Sequence, residues 1–185
     1  MKKLFSKKQV MTIPNLLSLI RLIMIPFIVW FYVKTNYYAA TALVVLSGIT
    51  DVVDGIIARK FNMVSDLGKI LDPIADKCTQ GIVIICLSLK YRHMMWLVML
   101  FVVKECIMGL LGYITIKSKD SVNSAKWYGK VSTLVLYASM ISLIIFSDMP
   151  AIAVDTIIVL CSAVLILSLV MYVRFYIKIL SERSV

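Results

Sequence analysis

Six long runs of apolar residues, separated by short polar breaks, account for most of the chain. A run of about 20 apolar residues is long enough to cross a bilayer as a helix. The runs predict transmembrane helices at 13–33, 37–58, 68–89, 94–116, 127–147 and 152–177. We therefore predict an all-α integral membrane protein, a six-transmembrane-helix bundle that forms a single membrane domain over residues 1–185.

Lysines at positions 2, 3, 7 and 8 precede the first run and alternate with apolar residues such as Phe5 and Val10. A short basic and amphipathic segment of this kind lies on lipid headgroups. We predict an interfacial helix over residues 1–11. The run that follows is too long for the apolar part of a signal peptide, so we expect it to be retained as the first span.

Composition and charge support a membrane protein and indicate its orientation. The chain is 61% hydrophobic and only 16% charged, which excludes an ordinary soluble domain. Its net charge of +10 resides mainly in short loops, so it indicates topology rather than nucleic-acid binding. Fifteen of the 20 basic residues fall on the side of the two termini and three on the other side. This bias predicts that both termini lie in the cytoplasm.

Five of the ten acidic residues lie between positions 51 and 76, and four of them, all except Asp66, fall on two helical stripes. On a helix, one stripe would contain Asp51, Asp54, Gly55 and Ala58, with Arg59 at its border. A second stripe would contain Gly68, Asp72 and Asp76. Two such helices facing each other would gather four carboxylates, which need cations, and hard oxygen ligands favour Mg²⁺ or Mn²⁺. Arg59 offers a planar fork for phosphate.

Simpler explanations exist for some of these residues. Asp72, which precedes Pro73, has the pattern of a helix N-cap, and Asp66 could also cap a helix. Capping does not explain Asp51 and Asp54, because they lie at the other end of a helix, where the macrodipole disfavours anions. Arg59 could be a stop-transfer charge, although its place beside the stripe favours phosphate binding as well.

The spacing of these residues resembles a known family signature. Asp51-x2-Asp54-Gly55-x2-Ala58-Arg59-x8-Gly68-x3-Asp72-x3-Asp76 is similar to the signature of the CDP-alcohol phosphatidyltransferases, with every fixed position filled. Two further segments, Pro14 to Arg21 and Trp127 to Thr133, also resemble parts of that family.

The resemblance implies a site and a reaction. It assigns two divalent ions, Mg²⁺ or Mn²⁺, to Asp51, Asp54, Asp72 and Asp76, with Asp76 also the general base. It implies CDP-diacylglycerol as donor and a homodimer. We expect a bacterial cytoplasmic membrane, and the bias of the basic residues predicts that the site faces the cytoplasm. The donor-binding residues that it implies are Asn15, Ser18, Gly55, Ala58, Arg59, Ser65 and Gly68.

The acceptor is the less constrained substrate. The segments resemble enzymes that use glycerol 3-phosphate, and also the cardiolipin-forming branch, whose acceptor is phosphatidylglycerol. Lys104, Lys130 and Arg174 are the cations that could bind an anionic acceptor, although Lys104 could instead form a local ion pair with Glu105. We favour glycerol 3-phosphate.

Two other classes use carboxylates in membranes. A membrane prenyltransferase also binds a diphosphate with aspartate-rich helices, but its aspartate spacing differs from the spacing here. A small cation-coupled transporter would place its carboxylates near the middle of the bilayer, whereas these lie near one edge.

Overall fold

The computed structural model describes residues 12–61, 68–119 and 126–181. The predicted basic helix over 1–11 and the predicted donor-binding residue Ser65 lie outside the described residues. All the regular structure in the described part of the chain is helical, which confirms the all-α prediction. The helices are α1 (Ile13–Val33), α2 (Tyr37–Lys60), α3 (Gly68–Lys90), α4 (Met94–Lys119), α5 (Trp127–Ile145) and α6 (Ala151–Ser181).

Five of these helices are long and apolar enough to cross a membrane, and the protein is an integral membrane protein. They are α1, α2, α4, α5 and α6. The remaining helix, α3, is long enough, but it contains Lys69, Asp72, Asp76 and Lys77 within its first ten residues. The first half of α3 is therefore more polar than the other helices, and the role of α3 as a sixth span stays a prediction.

Helices α1 and α2 form a tight hairpin. The N–H of Lys34 donates to the carbonyl of Trp30 at 3.0 Å and ends α1. Thr35 follows with a φ of 59°, in the left-handed region, which turns the chain. Asn36 then caps α2, since its side chain accepts a hydrogen bond from the N–H of Ala39 at 3.3 Å. A connection this short makes α1 and α2 antiparallel neighbours.

Each helix of the hairpin has one buried stripe that contains both apolar and charged residues. On α1 the buried residues are Pro14, Asn15, Ser18, Arg21, Met24, Ile28 and Tyr32. On α2 they include Ala40, Thr41, Val44, Ser47 and Asp54. Small side chains such as Ala40 and Ser47 allow two membrane helices to approach closely. The packing that buries Ile28 and Val44 thus also buries Arg21 and Asp54.

The described chain divides into two compact units. The first comprises the residues up to Cys86 together with Ile144–Ser147, and the second comprises Leu87–Leu143 and the residues from Asp148 onward. Within the second unit, the centroid of the Tyr172 ring lies 4.5 Å from the ring centroid of Tyr128 and 6.4 Å from that of Tyr176. These three residues form a buried aromatic cluster between α5 and α6, with Met108 and Leu111 of α4 packed against it.

The aromatic cluster depends on a glycine. A Cβ atom at Gly129 would lie 2.0 Å from the Oη of Tyr172 and 2.9 Å from its Cζ, which is far inside contact distance. The absence of a side chain at this position therefore lets the tyrosine ring lie against the backbone of α5. By contrast, a Cβ atom at Gly109 on α4 would meet no atom within 4 Å.

We predict that Gly129→Ala destabilises the protein by about 1–3 kcal/mol, because the tyrosine cluster has to shift to admit the methyl group. Gly109→Ala is the matched control. It should be neutral or slightly stabilising, since alanine is the better helix former and the space is open. Thermal unfolding of the two variants in detergent tests this, and equal melting temperatures would contradict it.

Candidate active site

Arg21 is a buried cation that joins α1 to the two acidic residues of α2. Its side chain is only 1% exposed, and its two terminal nitrogens contact different carboxylates. Nη1 donates to Oδ1 of Asp51, and Nη2 donates to Oδ2 of Asp54 at 2.6 Å. Asp51 and Asp54 are three residues apart, so they project from the same face of α2 within one turn. One guanidinium therefore neutralises part of the charge of both.

Ser18 extends this network to α3. Its fully buried hydroxyl contacts Oδ1 of Asp72, and it also lies 3.1 Å from the carbonyl of Pro14. The single hydroxyl proton can be donated to one of these acceptors at a time. The Nη2 of Arg21 lies 3.4 Å from the same hydroxyl and can donate to it. Three carboxylates from two helices are thus linked to one face of α1.

Asp76, the fourth carboxylate, lies one turn after Asp72 and has different partners. The amide Nε2 of Gln80 lies 2.9 Å from both carboxylate oxygens. Gln80 is completely buried, whereas the side chain of Asp76 is 16% exposed. The Nζ of Lys77 lies 3.8 Å from Oδ2 and is itself about one-third exposed. Gln80, a buried neutral donor on the same helix, therefore helps to orient the Asp76 carboxylate.

The graded exposure of the carboxylates would allow cations to approach them from one side. Asp51 is 42% exposed and Asp54 only 3%, so the network extends from the helix interface to its surface. Carboxylate oxygens without thiolate or imidazole neighbours form a donor set that suits Mg²⁺ or Mn²⁺. Within the described residues, however, no group of three or more acidic, cysteine or histidine side chains is already arranged as a metal cage. The two-ion site stays a prediction.

The predicted donor-binding residues lie beside these carboxylates along the chain. Asn15 is 4% exposed and precedes Ser18 by about one turn of α1. Gly55 follows Asp54 on α2, and the buried Gly68 precedes Asp72 by one turn of α3. Ala58 and Arg59 belong to the last turn of α2. Their assignment to the donor stays a prediction.

The capping explanation for Asp72 is wrong. Helix α3 begins at Gly68, so Asp72 and Pro73 lie inside the helix and not at its N-terminus. Asp66, the other candidate cap, lies outside the described residues. The carboxylate of Asp72 contacts the hydroxyl of Ser18 on another helix.

The predicted acceptor-binding residues all belong to the second unit. Lys104 is buried, and its Nζ lies 2.9 Å from the carboxylate of Glu105, which is the local ion pair considered above. Lys130, in the first turn of α5, and Arg174, in the second half of α6, are exposed. A role of these residues in acceptor binding stays a prediction.

Two residues of the network, Arg21 and Gln80, were not predicted as site residues. Arg21 carried a usable signal, because a charged residue inside a membrane span is by default a functional candidate. Gln80 carried a weaker signal. It follows Asp76 by four residues, the spacing at which side chains meet on a helix, but glutamine is common in many contexts.

Comparison with known proteins identifies the family of this chain. The model of the family described as CDP-alcohol phosphatidyltransferase matches residues 11–177. The chain belongs to this family. The match includes α1, which holds Arg21 and Ser18, as well as the acidic segments of α2 and α3. The protein is accordingly an enzyme of the CDP-alcohol phosphatidyltransferase class.

Individual relatives fall into two groups. A CDP-diacylglycerol–glycerol-3-phosphate 3-phosphatidyltransferase of Aquifex aeolicus is 33% identical over 133 residues, which is 71% of this chain and 75% of the relative. The protein of the same name in Escherichia coli K12 is 34% identical over 65% of this chain and 70% of the relative. A cardiolipin synthase (CMP-forming) of Streptomyces coelicolor is 29% identical over 76% of this chain and 67% of the relative.

The partners of Arg21 lead to a prediction about stability. The mutual repulsion of four carboxylates would by itself make neutralising one of them cheap for folding. Since Asp54 is buried against Arg21, Asp54→Asn should instead destabilise the protein by roughly 3 kcal/mol or more.

Asp51→Asn is the matched control, because Asp51 contacts the same guanidinium but is 42% exposed. It should cost much less stability than Asp54→Asn. Thermal unfolding of both variants in the same detergent gives the comparison. A larger loss for the Asp51 variant would contradict the burial argument.

Proposed function

We propose that this enzyme transfers the phosphatidyl group of CDP-diacylglycerol to glycerol 3-phosphate, giving phosphatidylglycerophosphate and CMP. The observation that carries the proposal is the network that links Asp51, Asp54 and Asp72 to Ser18 and Arg21 of α1. These aspartates belong to the family signature. The names of the Aquifex and E. coli relatives support glycerol 3-phosphate as acceptor.

The reaction exchanges the phosphoanhydride bond of the donor for a phosphate ester bond to the acceptor. The acceptor hydroxyl attacks the phosphorus that carries diacylglycerol, the bond from that phosphorus to the oxygen of CMP breaks, and CMP leaves as an anion. Two divalent ions held by Asp51, Asp54, Asp72 and Asp76 would neutralise the diphosphate and stabilise the charge on departing CMP.

Asp76 is proposed as the general base that takes the proton of the acceptor hydroxyl. A base must be held within hydrogen-bond reach of that proton in a defined orientation. The two contacts from Gln80, each 2.9 Å long, supply such an orientation. Because Asp76 remains partly exposed, an acceptor hydroxyl can approach its carboxylate.

The proposed donor site uses small and polar residues around these carboxylates. Gly55, Ala58 and Gly68 leave space for the nucleotide and diphosphate to approach the helix backbones. Arg59 would bind phosphate oxygens, and the donor would also contact the polar residues Asn15, Ser18 and Ser65. This assignment rests on the family signature and on the position of the residues beside the acidic network.

The acceptor site is proposed to include Lys104, Lys130 and Arg174. Glycerol 3-phosphate carries nearly two negative charges, so it needs cations of its own beside a charged donor. Lys130 and Arg174 are exposed, whereas Lys104 is buried and paired with Glu105.

A second candidate function is cardiolipin synthesis with phosphatidylglycerol as the acceptor. The 29% identity to the Streptomyces cardiolipin synthase, over 76% of this chain, favours it. Phosphatidylglycerol has one diester charge, so it requires fewer cations and more apolar width than glycerol 3-phosphate.

We further propose that α3 is a sixth span and that the enzyme is a homodimer in the cytoplasmic membrane of a bacterium. The excess of basic residues on the side of the termini supports a site that faces the cytoplasm. Soluble CMP and glycerol 3-phosphate would then enter and leave on that side.

The proposed reaction can be tested with a panel of acceptors. Purified enzyme with CDP-diacylglycerol and Mg²⁺ should release CMP when glycerol 3-phosphate is added, and the lipid product should have the mass of phosphatidylglycerophosphate. Excess chelator should abolish the release. Turnover with phosphatidylglycerol alone would replace the first candidate by cardiolipin synthesis, and turnover in chelator would refute the role of metal.

We predict that Lys130→Gln and Arg174→Gln raise the KM for glycerol 3-phosphate about 10- to 100-fold. This corresponds to the loss of one charge-assisted contact, worth roughly 1.5–3 kcal/mol. The KM for CDP-diacylglycerol serves as the internal control and should change much less. An unchanged acceptor KM in both variants would remove these residues from the acceptor site.

A further inference from the structure

Resting on the proposed function, we propose that Arg21 is a positioning residue of the active site that balances the charge of Asp51 and Asp54. In this role the guanidinium acts as a resident cation, and it limits how tightly divalent ions bind to the same carboxylates. The site thus keeps its acidic residues together while leaving its metal ions exchangeable.

The burial of Arg21 supports this assignment. A guanidinium that is 1% exposed has lost nearly all of its hydration, and among the described residues the carboxylates of Asp51 and Asp54 compensate for that loss with opposite charge. Its Nε finds no hydrogen-bond partner in the described part of the chain, although that atom is buried. The side chain is therefore oriented by its two acidic contacts and not by full hydrogen bonding to α1 or α2.

The geometry explains why this cation and a metal ion would interact. Nη1 and Nη2 each engage one oxygen of a different aspartate, so any ion bound to these carboxylates lies within a few ångströms of the guanidinium. Like charges at this separation repel strongly where water is scarce. Arg21 should therefore weaken metal binding relative to a site that lacks it.

A purely structural role gives a different expectation. If Arg21 only stabilised the packing of α1 against α2, its loss would destabilise the protein equally with and without metal. If it shares the charge of the carboxylates, metal must compensate for its loss, and the stabilisation by metal must increase. The coupling between Arg21 and metal separates the two roles.

The experiment measures Mn²⁺ binding and thermal unfolding of the full-length protein in nanodiscs of zwitterionic lipid. Free Mn²⁺ is counted by electron paramagnetic resonance, and the melting temperature is recorded with and without Mn²⁺. We expect Arg21→Gln to lower the Kd for Mn²⁺ by about tenfold or more and to show a larger Mn²⁺-induced rise in Tm than wild type. Arg21→Lys keeps the charge and should bind Mn²⁺ within about threefold of wild type.

Gly129→Ala is the control for destabilisation as such, since its methyl group would crowd Tyr172 and neither residue belongs to the acidic network. It should lower Tm without changing the Mn²⁺-induced rise. An Arg21→Gln variant whose Kd for Mn²⁺ equals or exceeds that of wild type would overturn the proposal. So would an Arg21→Lys variant that behaves like the glutamine variant.

A double variant keeps the proposal testable if Arg21→Gln alone folds poorly. Asp51→Asn removes the more exposed of the two carboxylates, so Arg21→Gln combined with Asp51→Asn should melt higher than Arg21→Gln alone in metal-free buffer. Failure of this rescue would overturn the charge-balancing role. None of these measurements uses CMP release, so a protein that shows the coupling but releases no CMP would refute the proposed reaction and leave the role of Arg21 in place.

Discussion

Gathering carboxylates in a membrane protein costs free energy, and the contacts between α1, α2 and α3 offset that cost. Asp54 is almost fully buried, and Asp51 and Asp72 lie close enough to act on it electrostatically. A cluster of carboxylates like this one is stable only when cations lie between them. Arg21 provides the first of these cations within the fold, and Ser18 provides a hydroxyl donor from the same face of α1. The first helix is therefore part of the acidic site.

The hairpin of α1 and α2 explains how that site is built. Their buried stripes contain Ile28 and Val44 close to the turn, and the same stripes continue to Arg21 and Asp54 farther along. At 1.5 Å per residue, Arg21 lies about 18 Å along α1 from the turn and Asp51 lies about 21 Å along α2 from it. The charged groups are therefore at nearly the same distance from the turn. Apolar packing near the turn thus determines the register of the ion pairs.

Most of the helical architecture could be predicted from the sequence, because apolar runs of the length of a bilayer admit few other structures. The first span was predicted at 13–33, and α1 covers Ile13–Val33. The pairing of Arg21 with two aspartates was not predicted, since it depends on which faces of α1 and α2 meet. The place of Asp72 inside α3 agrees with the helix predicted over 68–89, and it excludes the alternative of a cap, which an aspartate before proline also suggested. Local rules failed where contacts between helices decide the outcome.

We propose that divalent ions and Arg21 share one acidic site formed by α1, α2 and α3. Diffraction data collected at the manganese absorption edge, from crystals of the full-length protein grown with Mn²⁺ and CDP, test this most directly. We expect two anomalous peaks within ligand distance, about 2.0–2.6 Å, of oxygens of Asp51, Asp54, Asp72 and Asp76, with Arg21 still beside Asp51 or Asp54. Anomalous peaks confined to other residues would contradict it.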